Sequence, residues 1–342
     1  MFGLKLKRFL LCTVLIVAPV GGFAQSRAVM AYYENAASQS SLRAYAGYLN
    51  QIPTDTFAIN AAGKISGTAP AKAMEYAHAH GMQTFASVSN FGRTGFVPAI
   101  AQSIVNNPAH SAQAIQEMLR VVSTYGYSGV NVDFEAVPHH DRAAFSAFIQ
   151  AVAQAMRHAG YLTVLSVPAK LKDDPNDSWT GAFDFKALAP NVDILQLMTY
   201  DENGPWGAPG PVAGLDWVEP CVQFAVTVVP PSKISLGVPA YGYDWNFTRN
   251  TGVQIHWKSV PNLIAKMRAV PQWDAVSSSP YFNYTAPNGA SHVVWYEDGR
   301  SIPLKTALTV KYDLAGVSVF ALGFEDQTFW DAIRSGLGGF RR

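Results

Sequence analysis

The sequence predicts an α/β fold, a (β/α)₈ TIM barrel with a small α+β insertion between strands seven and eight. Three observations carry that prediction. Eight short β-prone runs alternate with helical patterns, which argues for parallel pairing and crossover helices. Polar residues cluster at the C-terminal ends of those runs, where a barrel must place its active site. A single long segment, about 244–300, separates the last two runs. Spacing alone leaves a doubly wound open sheet as an alternative, because it would give a similar list of elements.

The chain opens with Lys5, Lys7 and Arg8, an apolar run from Phe9 to Val20, and Gly22-Phe23-Ala24 before Gln25. Basic start, short apolar core and small residues at the cleavage point are the layout of a secretory signal peptide over 1–24. The mature domain is therefore expected over 25–342, exported to the periplasm or beyond. Of the two cysteines, Cys12 leaves with the signal and Cys221 remains alone, in an apolar segment that suits a small core residue. A net charge of +1 with scattered Lys and Arg implies no nucleic-acid partner and no membrane attachment after signal removal. A monomer is expected.

The eight strand candidates are Val29–Tyr33, Thr56–Asn60, Gln83–Ser89, Gly129–Glu135, Leu162–Val167, Ile194–Tyr200, Ile234–Pro239 and Gly316–Leu322. Between them Pro70–His80, Ser111–Tyr125, Asp141–Ala159 and Asp216–Val229 read as helices. The fourth run organises the rest. Val130, Val132 and Phe134 alternate with Asn131, Asp133 and Glu135, a period of two that gives one apolar face and one face with an amide and two carboxylates. Side chains at i and i+2 lie roughly 6–7 Å apart on one face. Asp133 then raises the pKa of Glu135, which suits an acid that donates a proton near neutral pH. A satisfied structural network in a barrel interior is the alternative reading of the same three residues.

Other polar residues fall at strand ends. Asn90 follows the third, Tyr200-Asp201 ends the sixth, and Tyr241 follows the seventh. Gln196 and Met198 alternate with Tyr200 and so point into the same interior. Trp206, in the Gly/Pro-rich loop Asn203–Gly214, and Trp245, after the seventh strand, are placed to stack on a ligand; Trp217 and Trp330 lie in helical patterns that suggest core packing. In the insertion, Tyr281–Tyr284 and His292–Tyr296 flank Asn288-Gly289, a hairpin signal. The pairs His78/His80 and His139/His140 have no spacing suited to one ion, so no metal and no cofactor are expected.

These motifs resemble glycoside hydrolase family 18, the chitinase-like family. Ser128-Gly129-Val130-Asn131-Val132-Asp133-Phe134-Glu135 is similar to its DGxDxDxE signature, and Ser87–Gly92, Gln196–Asp201 and Gly237–Trp245 resemble its third-, sixth- and seventh-strand motifs. Asn131 in the second acidic place, Trp295–Asp298 and Leu314–Val317 resemble the branch of spore-cortex and germination N-acetylglucosaminidases. Two positions depart from the pattern: Ser128 replaces the first Asp, and Phe320 stands where the family usually has a Trp beneath the reactive sugar.

The resemblance implies a retaining hydrolase acting at β-1,4 bonds of N-acetylglucosamine by substrate assistance. Glu135 is then the acid/base, Asp133 holds the acetamido N–H, and Tyr200 bonds the acetamido oxygen. Asn90, Asn131, Gln196, Met198, Asp201, Trp206, Tyr241 and Phe320 are the expected substrate-binding set, with Asn131 as support for Asp133 and Asp201 as either a sugar contact or a support for Tyr200. Peptidoglycan leads as the substrate; a chitin or chitooligosaccharide hydrolase and a non-catalytic chitinase-like sugar-binding protein are the alternatives.

Overall fold

The computed structural model describes residues 27–339. The expected signal segment and Cys12 lie outside them. Eight parallel strands close a barrel: β1 (Ala28–Ala31), β2 (Gln51–Ile59), β4 (Gln83–Ser89), β5 (Gly129–Asp133), β6 (Leu162–Pro168), β7 (Ile194–Met198), β8 (Ile234–Pro239) and β14 (Gly316–Phe320). β1 pairs with both β2 and β14, so the sheet is a closed barrel and not the open alternative. Short β3 (Ile65–Gly67) folds back antiparallel on β2.

Helices α1 (Ala36–Tyr45), α2 (Ala71–Ala79), α3 (Pro98–Asn106), α4 (Pro108–Tyr125), α5 (Arg142–His158), α6 (Phe185–Leu188) and α7 (Leu215–Val228) form successive crossovers. The strands' outward residues and these helices make the main core. Phe134 stacks on Phe148 of α5 with centroids 5.8 Å apart, and Val130, Val132 and Phe134 are fully buried. Cys221 is buried on α7. The expected helix at 111–125 begins three residues earlier, because the Asn107 side chain caps the backbone N–H groups of Ala109 and His110 and Pro108 takes the first helical position.

Three strands differ from expectation in limits that bear on the site. β2 starts at Gln51, not Thr56, and carries a β-bulge between Asp55 and Phe57. The extra residue breaks the two-residue alternation, so the segment does not read as one strand. β5 and β7 stop at Asp133 and Met198, which leaves Glu135 and Tyr200 on the turns just beyond them.

The insertion starts at once after β8, with β9 (Tyr241–Asn246), then β10 (Thr251–His256), α8 (Val260–Met267), β11 (Gln272–Asp274), β12 (Ser279–Thr285) and β13 (Ser291–Trp295). Its antiparallel sheet runs β10-β9-β13-β12-β11. β12 and β13 form the hairpin around Asn288-Gly289. α9 (Ser301–Lys311) returns the chain to β14, and α10 (Gln327–Gly336) closes the outer layer.

Candidate active site

A cavity of about 780 Å³ opens at the C-terminal ends of the strands, lined by Asp133, Glu135, Met198, Tyr200, Asp201, Trp206, Tyr241 and Phe320 among others. Eight of the eleven expected site residues therefore share one space. Asn90, Asn131 and Gln196 do not: each is fully buried beneath the lining, because each spends its polar atoms on protein partners.

Asn90 clamps the backbone of the acid. Its Oδ1 accepts from the Glu135 N–H at 2.9 Å, and its Nδ2 donates to the Glu135 carbonyl at 2.9 Å and to the Val97 carbonyl at 3.2 Å. Asn131 donates to the Tyr32 hydroxyl and to Ser87 Oγ, both at 3.2 Å, and accepts from Ser166 Oγ at 3.2 Å. Ser166 also serves Asp133, so Asn131 supports that carboxyl at one remove. Gln196 donates to the Leu197 carbonyl and lies in hydrogen-bond contact with Tyr200.

Burial in the cavity wall raises the Glu135 pKa well above the ordinary range, with further contributions from Asp133, Asp201 and Asp55. Spacing along β5 points to Asp133 as the cause, but desolvation comes first because Glu135 is enclosed on the turn after β5. Asp133 is also pushed up, by burial and then by Asp55. The Tyr200 hydroxyl is pushed up by burial and stays a donor at any working pH. Room for its ring depends on Gly237, where a Cβ would come within 2.9 Å of Tyr200 Cε1.

Asp201, at a left-handed φ of 61°, accepts on Oδ1 from the hydroxyls of Tyr241 and Tyr243, each at 2.7 Å. Tyr241 and Tyr243, not Tyr200, are thus the side chains it holds. Phe320 packs against Tyr32, Tyr200 and Tyr241 with centroids 5.8, 6.0 and 6.3 Å away. Trp206 is 70% exposed at the cavity rim, edge-on to Tyr243.

Two tryptophans exchange their expected places. Trp245 is buried on β9 between β10 and β13 and is not among the residues lining this cavity, while Trp217 of α7 is. The cause is the five-stranded sheet, which covers the one and leaves the start of α7 facing the groove. Also unanticipated are Tyr32 and Glu34 after β1, Asp55 on β2, Phe91, Phe96 and Trp179. Asp55 lies between Thr54 and Thr56 within Ile52–Ile59, where the bulge breaks the alternation that would have marked it as an interior strand residue. Among the described residues no cluster of His, Cys, Asp and Glu is arranged to hold a metal ion.

The arrangement gives a carboxyl whose pKa is raised by burial on a fixed backbone, a second buried carboxyl two residues away, a tyrosine donor, and aromatic walls. Such a site can protonate a leaving oxygen and steady a cation beside it. The chain resembles YvbX, an uncharacterized glycosylase of Bacillus subtilis, at 40% identity over 303 residues, 88% of each chain. It is 26% identical over 247 residues to a cortical fragment-lytic enzyme of the same organism, covering 71% of this chain and 57% of that one. In structure it is similar to a chitinase from Chromobacterium violaceum, with a TM-score of 0.86 and 37% identity over 92% of this chain and all of that one. Residues 11–325 match the family described as glycosyl hydrolases family 18. With barrel, site geometry and sequence in agreement, the chain belongs to glycosyl hydrolase family 18 and is a glycoside hydrolase.

Proposed function

We propose that this hydrolase is an exported, retaining N-acetylglucosaminidase that cuts β-1,4 bonds in peptidoglycan with the help of the substrate's own acetamido group. The observation that carries the reading is the Asn90-clamped Glu135 beside Asp133 and Tyr200 in one cavity. Glu135 gives its proton to the departing glycosidic oxygen. The acetamido oxygen attacks the anomeric carbon, forming an oxazolinium ion; Asp133 holds the N–H and offsets the charge, and Tyr200 bonds the acetamido oxygen. Glu135 then takes a proton from the water that opens the ring, and the configuration is retained.

Peptidoglycan is favoured by the similarity to the cortical fragment-lytic enzyme. Chitin is the second reading, favoured by the similarity to the chitinase. Mass spectrometry of products from peptidoglycan and from chitin oligosaccharides, beside a Glu135→Gln control, separates them. Wall fragments ending in N-acetylglucosamine, absent in the control, support the first. Cleavage of chitin oligosaccharides alone moves the substrate to chitin, and sugar binding without cleavage of either refutes the catalytic reading.

A further inference from the structure

Between β6 and α6 the chain runs from 169 to 184 without a helix or strand. Loops of this kind beyond about 12–15 residues are uncommon in compact domains and usually carry function. This one stands over the cavity. β6 lies between β5 and β7 in the barrel, so its loop rises between the turn that bears Glu135 and the turn that bears Tyr200. Pro168, Ala169 and Trp179 line the cavity, and Trp179 is 48% exposed.

A single exposed ring needs no explanation. A ring whose loop is held as firmly as this one does. Asp177 Oδ1 accepts from the Trp179 N–H at 3.0 Å, from the Thr180 N–H at 2.6 Å and from the Thr180 hydroxyl at 2.8 Å. The Gly181 N–H donates to the Asp177 carbonyl at 3.0 Å, which closes the turn that carries the indole.

The base of the loop is fastened by a buried cation. Lys170, 4% exposed, donates from Nζ to the Phe183 carbonyl and to Asp173 Oδ1, both at 2.6 Å. The first of these bonds joins the start of the loop to its end. The same ammonium lies 4.5 Å from the ring centroid of Phe185 on α6, a favourable site for a cation. From α5, Arg142 donates to the Gly181 carbonyl and to Asp173 Oδ2, each at 2.7 Å, and pairs with Asp184 at 2.9 Å. Burying an ammonium is costly unless it is paired, and both polar partners of Lys170 belong to this one loop.

We propose that Trp179 is a further sugar-binding residue, a flat face for a sugar next to the one that reacts, and that Lys170 is its positioning residue. The reacting sugar has an aromatic wall of its own, in which Phe320 packs with Tyr32, Tyr200 and Tyr241. Trp179 comes from a different loop, so it serves a neighbouring sugar and makes the site favour longer glycans. An indole offers a large apolar face with a polar tip, which suits a sugar ring with C–H groups on its face and hydroxyls at its edge. The inference rests on the reading above that the cavity takes an N-acetylglucosamine polymer.

The test is calorimetric binding of chitin hexasaccharide and disaccharide to the full mature chain carrying Glu135→Gln, which slows cleavage during the titration. Trp179→Leu keeps apolar bulk but loses the flat face, and weakens hexasaccharide binding about ten-fold and disaccharide binding less than two-fold. Trp179→Phe recovers most of the loss, a distinction that a merely structural role would not make. Lys170→Met weakens hexasaccharide binding several-fold, and Lys170→Arg restores part of it. The double variant Lys170→Met/Trp179→Leu binds as Trp179→Leu does, because Lys170 acts through the ring. Should Lys170→Met fail to fold by circular dichroism, Asp173→Asn loosens the same fastening from its solvent side. Hexasaccharide affinity within two-fold of the parent in Trp179→Leu overturns the proposal, as do equal losses for the two lengths or a double variant whose loss is the product of the single ones. A wild type that cuts no N-acetylglucosamine polymer refutes the proposed function instead, and hexasaccharide binding still decides the role of Trp179. A parent that binds no hexasaccharide overturns both.

Discussion

Replacing Asn90 with alanine isolates the contribution of backbone placement, because Asn90 touches the acid only through main-chain atoms. The substitution removes three hydrogen bonds, two to Glu135 and one to Val97. At about 1 kcal/mol net for each, and with the Glu135 N–H and carbonyl left short of partners, the loss is about 3 kcal/mol or more. Urea unfolding at pH 6 reads that number directly. The turn after β5 also gains freedom, and about 1 Å of misplacement at a reacting group costs on the order of 100-fold in rate. Because the Asn90 side chain lies below the cavity lining, the fall belongs in kcat, with KM changed less than about two-fold. Stability within about 0.5 kcal/mol of wild type together with kcat within two-fold would refute the clamp.

The other expectations concern charge, packing and sugar contact. Asp55 has a folded pKa of about 6, above the ordinary carboxyl value, so its favourable contribution to stability is complete near pH 4 and is lost as pH rises through 6. Asp55→Asn therefore raises the unfolding free energy read by urea denaturation at pH 8 by about 3 kcal/mol, for a shift of roughly two units, and changes it little at pH 4. Gly129→Ala places a Cβ 2.1 Å from the Leu162 carbonyl oxygen, a backbone atom held in the ladder, and should cost about 3 kcal/mol or leave the chain insoluble on expression. Phe320→Ala deletes an aromatic face from the cavity and is expected to raise KM about ten-fold in steady-state assays, the size of one stacking contact. Trp206→Ala removes a largely exposed ring, so calorimetric melting should be nearly unchanged while KM rises several-fold.

How much of this was legible in the sequence depended on whether a residue's role is local. The alternation of Val130, Val132 and Phe134 with Asn131 and Asp133 is a local property, and it separated the helix-facing side of β5 from the interior side. Glu135, Tyr200 and Asp201 were found because they sit at strand ends, where a barrel opens. Asp55 was hidden by the bulge beside it, since an alternation with one extra residue stops looking like a strand. Trp217 and Trp245 were exchanged because the burial of each is decided by the inserted sheet, whose pairing with itself spans about fifty residues. The roles of Asn90 and Gln196 depend on partners from other elements or on interior packing, which no spacing along the chain reports.

The fastening of Asp201 has a consequence for anyone who would build a smaller enzyme from this barrel. Its carboxylate belongs to the turn after β7, but both hydroxyls that hold it come from β9, the first strand of the insertion. Joining the end of β8 directly to α9 would keep all eight barrel strands and discard Tyr241, Tyr243 and the cavity wall that Tyr241 supplies. Asp201 would then be a bare carboxylate in an already acidic groove, adding repulsion where the proton donor sits. The inserted sheet thus supplies part of the cavity wall and the fastening of Asp201, and on the proposed function a minimal version of this enzyme has to include it.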